Sequence, residues 1–255
     1  MSQGPLQPTA EPFLRAFRAD LARYFAFAPD MGIWNKFGIA LTTDGVWAVG
    51  VYRLGRALRG RRRGAAGRLA WAGYRSLEVL VRVASGIHLD VESRIAPGLY
   101  IGHFGSIHVG AGAAIGAHSS IGQMCFVGAG GPEAPPGVPS LGERVYLGVG
   151  AKVLGGVRVG DGAAVGANAV VLSDVPPNAV VVGNPARVAS FRGSEDFLGP
   201  RAPVRPEAPP NRLQGTPPLF GPAEGPTPPA AAPTIEQGRE GVEQLEPVPD
   251  AQKRP

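Results

Sequence analysis

A valine, leucine or isoleucine returns every sixth residue through the middle of the chain: Leu141, Leu147, Val153, Val159, Val165 and Val171. The same beat runs through Leu89, Ile95, Ile101 and Ile107, and again through Ile115, Ile121 and Val127. A period of six matches neither the 3.6 of a helix nor the 2 of a half-buried strand. It predicts a parallel β-helix of hexapeptide repeats, in which three hexads make one triangular coil and each aliphatic fills the prism core. Glycine directly follows four of the first six aliphatics, as Gly142, Gly148, Gly160 and Gly166, where the chain has to turn a corner. The position four after each aliphatic is small or apolar (Val145, Ala151, Val157, Ala163, Ala169, Val175), which suits a second inward site on each short strand.

Two irregularities break the beat. The step from Ile107 to Ile115 is eight residues, and the step from Val127 to Leu141 is fourteen. A bulge at 107–114 and a loop at 128–140 are therefore expected to project from the prism. Ahead of the repeat, residues 11–28 read as an amphipathic helix with Phe13, Leu14, Phe17, Leu21, Tyr24 and Phe25 on one face. A second helix is expected over about 44–59 with Asp44 as its N-cap, and a third over about 66–84. From 193 onward the chain holds 15 of its 27 prolines and no periodicity, the composition of a disordered tail. The expected class is mainly β: a helical domain at 11–84, a β-helix at 86–190 with roughly five coils, and a Pro-rich tail at 193–255 that packs on nothing.

Charge is uneven along the 255 residues. Residues 1–85 carry thirteen Lys+Arg against five Asp+Glu, residues 86–192 carry six of each, and residues 193–255 carry six against nine. The basic character thus belongs to the helical part, with its densest run at Arg59-Gly60-Arg61-Arg62-Arg63-Gly64. That run reads as a solvated loop, or as a peripheral contact with an anionic membrane at the inner face of the cell. Nucleic acid is not an expected partner, because no aromatic platform accompanies the arginines. The single cysteine, Cys125, excludes an intrachain disulfide and falls at an inward repeat position, which fits a core thiol in a cytoplasmic protein. No apolar run is long enough to span a bilayer.

Counting each irregular step as one hexad, the hexads starting at Ile101, Ile121, Leu147 and Val165 stack in one column. Their corners are Gly102-His103, Gly122-Gln123, Gly148-Val149 and Gly166-Ala167. Adjacent coils lie about 4.8 Å apart. His103 then stands at one end of a groove floored by small residues, the shape for a long thin ligand that presents a reactive end to an imidazole. Of the other histidines, His88 and His118 read as structural, and His108 falls in the first bulge. No cluster of His, Cys, Asp and Glu has metal-ligand spacing, so no metal is expected.

Three stretches carry a family likeness: the repeat itself, Gly-Leu-Tyr-Ile-Gly-His-Phe-Gly at 98–105, and the run from Ser173 through Val-Gly-Asn-Pro-Ala-Arg to Arg187. With Val51-Tyr52-Arg53-Leu54, they make residues 44–190 resemble the serine acetyltransferase family of hexapeptide acyltransferases. The Gly-His-Phe-Gly variant resembles the branch associated with capsule and exopolysaccharide synthesis. The resemblance implies a left-handed β-helix, acetyl-CoA as co-substrate, a homotrimer or dimer of trimers, and His103 as the catalytic histidine. It also puts the donor along Gly148, Val149, Gly166 and Ala167, with Arg187 near its phosphate end. The charged partners of the serine-specific members are replaced here: the aspartate before the histidine is Gly102, the carboxylate fifteen residues earlier is His88, the glutamate eight residues later is Ala111, and the second histidine is Val138.

Serine carries two charges that a specific site must meet, so these replacements point to a sugar hydroxyl of a surface polysaccharide or its precursor, contacted by Tyr100, Phe104 and Gln123. The alternative acceptor is L-serine, for cysteine biosynthesis. A third reading, of another class, is a non-catalytic β-helix that scaffolds a membrane-associated synthesis complex.

Overall fold

The computed structural model describes residues 12–27 and 29–199. Four helices come first: α1 (Phe13–Ala26), α2 (Ile33–Thr42), α3 (Asp44–Leu58) and α4 (Gly64–Ser85), with a 3-10 turn at Arg59–Arg61 before α4. Helices α1, α3 and α4 are the three expected from the pattern. Helix α2 is not predicted by it: no side chain caps its start at Gly32, and Ile33, Trp34, Phe37 and Leu41 remain exposed. Asp44 is not the N-cap. Thr43 holds that place in an extended conformation, and Asp44 opens the first turn, where its charge still suits the helix N-terminus. Helix α4 ends on Gly86 in the left-handed region (φ 67°), whose N–H closes onto Arg82 O and sends the chain into the first strand.

The rest is a parallel β-solenoid with three faces. Strands β1 (Ile87–Leu89), β4 (Ile107–Val109), β7 (Phe126–Gly128), β10 (Lys152–Leu154) and β13 (Val170–Val171) stack as one face. Strands β2 (Arg94–Ile95), β5 (Ala114–Ile115), β8 (Ser140–Leu141) and β11 (Arg158–Val159) make the second. Strands β3 (Tyr100–Ile101), β6 (Ser120–Ile121), β9 (Tyr146–Leu147), β12 (Ala164–Val165) and β14 (Val180–Val182) make the third, closed by the antiparallel β15 (Arg187–Ser190). The aliphatic ladder points inward: Leu147, Val153 and Val165 have no exposed surface, and Val159 is buried. Each such side chain contributes about 1.5–3 kcal/mol through burial. Cys125 lies in the same core, and burial pushes its thiol up to about 11.

The register corrects the expected position of the first bulge. Ile87 pairs with Ile107 and Leu89 with Val109, so Val109, not Ile107, continues the ladder of Leu89. Ile107 is instead the second inward site of its strand. The two extra residues therefore sit at 102–106, in the corner that carries His103, and not at 107–114. That corner holds five residues between Ile101 and Ile107, whereas 122–124, 148–150 and 166–168 hold three each. The second insertion lies where the sequence places it: residues 129–133 are exposed, and the loop folds back so that Gly156 N donates to Pro135 O at 3.0 Å.

The expected tail boundary at 193 is also corrected. Residues 193–199 are described and pack on the solenoid: Ser194 and Leu198 are buried, and Ser194 N donates to Gly162 O at 2.8 Å. A structureless segment could not satisfy those groups. Residues 200–255, most of the expected Pro-rich tail, and residues 1–11 lie outside the described residues.

Candidate active site

The predicted column is present. Ile101 pairs with Ile121, Ile121 with Leu147, and Leu147 with Val165. The corners that follow, Gly102-His103, Gly122-Gln123, Gly148-Val149 and Gly166-Ala167, therefore lie one above another. The glycines serve the stacking itself. A Cβ on Gly122 would come 2.9 Å from Val149 N, and one on Gly148 would come 2.8 Å from Ala167 N. Their missing side chains admit the next coil rather than a ligand, which corrects the simple picture of a glycine floor.

His103 and Phe104 project from the enlarged corner and are exposed. Gly105 N donates to Ser85 O at 2.8 Å and is not a free donor, whereas the N–H groups of Gly102, His103 and Phe104 make no hydrogen bond among the described residues. Gln123 sits one coil above His103, and its carbonyl accepts from Gly150 N at 2.8 Å. Tyr100 faces outward on the third face, packed between Tyr24 and Phe27 at 4.8 and 4.7 Å between ring centroids. It supports the helical part, and its ring edge and hydroxyl also lie against Gly102 at the His103 corner, 3.1 Å from where a Cβ there would stand.

A cavity of about 230 Å³ opens beside the column, lined by Gly148, Val149, Gly166 and Ala167 together with Tyr146, Ala164, Val180 and Phe197. Four of the five residues expected to hold the donor are thus together. Arg187 is apart from them. It lines a separate cavity of about 430 Å³ at the end of the solenoid with Ser173, Asp174 and Pro185.

The sequence reading misses the surroundings of His88 and His108. These side chains stand side by side on the first face, Nδ1 to Nδ1 at 3.1 Å. His88 Nε2 lies 3.8 Å from Glu78 Oε1 of α4, and the His108 ring stacks on Phe126 at 4.9 Å. Burial first, and His108 second, lower the His88 pKa. His108 is therefore a paired strand residue and not part of a bulge. His118 is half-buried, its carbonyl accepting from Arg23 at 2.6 Å, in line with a structural role. No group of three or more His, Cys, Asp or Glu among the described residues could hold a metal ion.

The basic run is partly engaged by the protein itself: Arg59 pairs with Glu92, and the Arg62 guanidinium lies 3.9 Å from the Trp71 ring centroid. Among the described residues no helix is long and apolar enough to cross a membrane.

Residues 139–173 match the family described as Bacterial transferase hexapeptide (six repeats). A serine acetyltransferase of Helicobacter pylori is 37% identical over 153 residues, which cover 60% of this chain and 85% of the relative. One from Bacillus subtilis is 30% identical over 183 residues, 72% of this chain and 80% of the relative. Among solved structures, a Neisseria gonorrhoeae serine acetyltransferase in complex with serine matches with a TM-score of 0.58 at 26% identity, over 70% of this chain and 69% of that one. A Brucella abortus serine acetyltransferase in complex with coenzyme A matches with a TM-score of 0.59 at 26% identity, over 71% and 69%.

Proposed function

Because the chain belongs to the serine acetyltransferase family of hexapeptide-repeat transferases, we propose that it transfers the acetyl group of acetyl-CoA to a hydroxyl oxygen with His103 as general base. The observation that carries this reading is the stack of corners that leads from the cavity at Val149 and Ala167 to the exposed imidazole of His103. Those side chains fit a narrow ligand: they are small, apolar and open on one side.

Acetyl-CoA supplies an activated acyl thioester. The remaining chemistry falls to this chain. Imidazole is the side chain best matched to proton transfer near neutral pH, and His103 takes the hydroxyl proton as the oxygen attacks the thioester carbon, then passes it to the CoA sulfur as the C–S bond breaks. The N–H groups of Gly102, His103 and Phe104 are the available donors for charge developing on the carbonyl oxygen. A covalent acetyl-enzyme has no thiol to form on, since the single cysteine, Cys125, is buried and its thiol is held protonated.

L-Serine is the acceptor that the relatives support, since they are named for it and one is solved with serine bound. A sugar hydroxyl is the second reading, favoured by one feature of the corner. The nearest carboxylates in sequence are engaged elsewhere: Asp90 Oδ1 accepts from Glu92 N at 2.7 Å, and Glu92 pairs with Arg59. Among the described residues, these two therefore offer no free counter-charge for an ammonium group. A trimer would complete the corner. A neighbouring copy would cover the apolar ridge of Phe104, Met124, Val149 and Val182 and supply the partner that His103 lacks among the described residues.

The test is an acceptor panel with labelled acetyl-CoA, containing L-serine and free and polymeric sugars, with the wild-type protein and His103→Ala. Loss of turnover by about 10²–10⁴ in the variant, with CoA binding retained, is expected. Turnover within a few-fold of wild type would make His103 structural and bring forward the scaffold reading.

A further inference from the structure

After β15 the chain turns back across the third face as a strap, residues 191–199. Buried groups fix it on both sides of a short 3-10 turn at Glu195–Phe197. On one side Ser194 is buried, its N–H donating to Gly162 O and its hydroxyl to Arg144 O, while Glu195 pairs with Arg144. On the other side Leu198 is buried, and its carbonyl accepts from the buried Arg23 at 3.1 Å. Between these anchors Phe197 is held 48% exposed. Its ring stacks on Tyr146 with centroids 5.0 Å apart and planes 19° from parallel, and both rings line the cavity that contains Val149 and Ala167.

We propose that Phe197 is a donor-binding residue, and that the Phe197–Tyr146 stack seats a flat heteroaromatic ring, the adenine of acetyl-CoA. The proposal rests on the acetyl-CoA reading above and adds a residue outside the repeat. The cavity is about 230 Å³, below the roughly 300–1,000 Å³ of a site that encloses a whole drug-sized ligand. It therefore takes one ring system of a longer molecule. Its lining is aliphatic and aromatic, with the Tyr146 hydroxyl as the one polar side-chain group, which suits the face of a base better than a phosphate or a sugar. The cavity begins two coils above the corner of His103, about 10 Å away at 4.8 Å per coil. That is too far for the reacting acyl group and shorter than an extended pantetheine arm, so the adenine reaches the cavity with that arm bent along the corners.

The strap is a wall and not a lid. Lifting it would expose Leu198 and Ser194 and take the Leu198 carbonyl from Arg23, whose burial makes a lost partner costly.

The experiment compares kcat/KM for acetyl-CoA with that for acetyl-pantetheine, which lacks the nucleotide, and adds CoA binding by calorimetry. Phe197→Ala and Phe197→Leu should each lose about 5- to 150-fold in KM for acetyl-CoA and in CoA affinity, the range of one base–aromatic stack. Their kcat, and their kcat/KM for acetyl-pantetheine, should stay at wild-type values, and Phe197→Trp should restore the affinity. Phe197→Leu keeps the apolar cover if the alanine variant does not fold. An equal loss with both donors, no loss, or tighter CoA binding would overturn the proposal. Wild-type protein that binds no CoA and uses neither donor would instead overturn the acetyl-CoA reading itself.

Discussion

Arg53 holds Asp20 by a two-pronged ion pair, Nε to Oδ2 at 2.8 Å and one terminal nitrogen to Oδ1 at 3.0 Å, with both side chains buried. The same guanidinium donates to Ile95 O and Ala96 O, and the same carboxylate accepts from Gly98 N and Leu99 N. Helices α1 and α3 are thereby joined to the first coil of the solenoid through one fully hydrogen-bonded pair. The coil end that they cover bears the corner of His103.

Arg53→Ala should cost about 3–5 kcal/mol, because it leaves a buried carboxylate without its cation. Denaturant unfolding measures this directly. Arg53→Lys should fall between the two, since an ammonium cannot reproduce the fork.

Stability should fall as pH drops below about 6.5, the ordinary histidine value. Burial and the neighbouring His108 lower the His88 pKa, and burial and Arg23 lower that of His118. A lowered histidine pKa means that the unfolded chain binds protons first. The contribution is therefore present above the unfolded value and is lost as pH falls toward the folded one. Thermal melts between pH 8 and pH 5 should show the slope in that window, on the order of the histidine range. His88→Gln should flatten part of it and leave the part due to His118.

Ala167→Ile should weaken CoA binding and leave the fold intact. Ala167 is exposed and lines the cavity, so a β-branched side chain fills the groove without entering the core. Unchanged affinity by calorimetry would remove this groove as the donor site. Gly148→Ala should do the reverse and destabilise the solenoid, because its Cβ would meet backbone of the next coil.

Cys125 should resist thiol reagents in the native protein and react on unfolding. Its Sγ is buried and donates to Gly148 O at 3.1 Å, and its thiol is raised to about 11. Rapid native labelling, or loss of turnover in Cys125→Ala with the fold retained, would contradict a purely structural thiol.

The hexad beat alone determines the solenoid, its inward residues and the column under His103, because a period of six is compatible with one way of burying those aliphatics. It also places Cys125 in the core. It does not determine where the first coil is enlarged. Ile107 and Val109 are both inward-facing aliphatics, so the beat continues through either, and only the hydrogen-bond register of β1 on β4 assigns the two extra residues to the corner of His103. Pairings across separate elements were likewise beyond the pattern. His88 meets His108 because they are register partners, and Glu78 joins them because α4 packs there. The strap is the clearest case. Its nine residues carry no period, and their order comes from partners far away in the chain: Arg23, Arg144, Tyr146 and Gly162. A local pattern records what a segment buries within its own repeat. The position of Phe197 on the groove depends on contacts that exist only once the chain has folded back on itself.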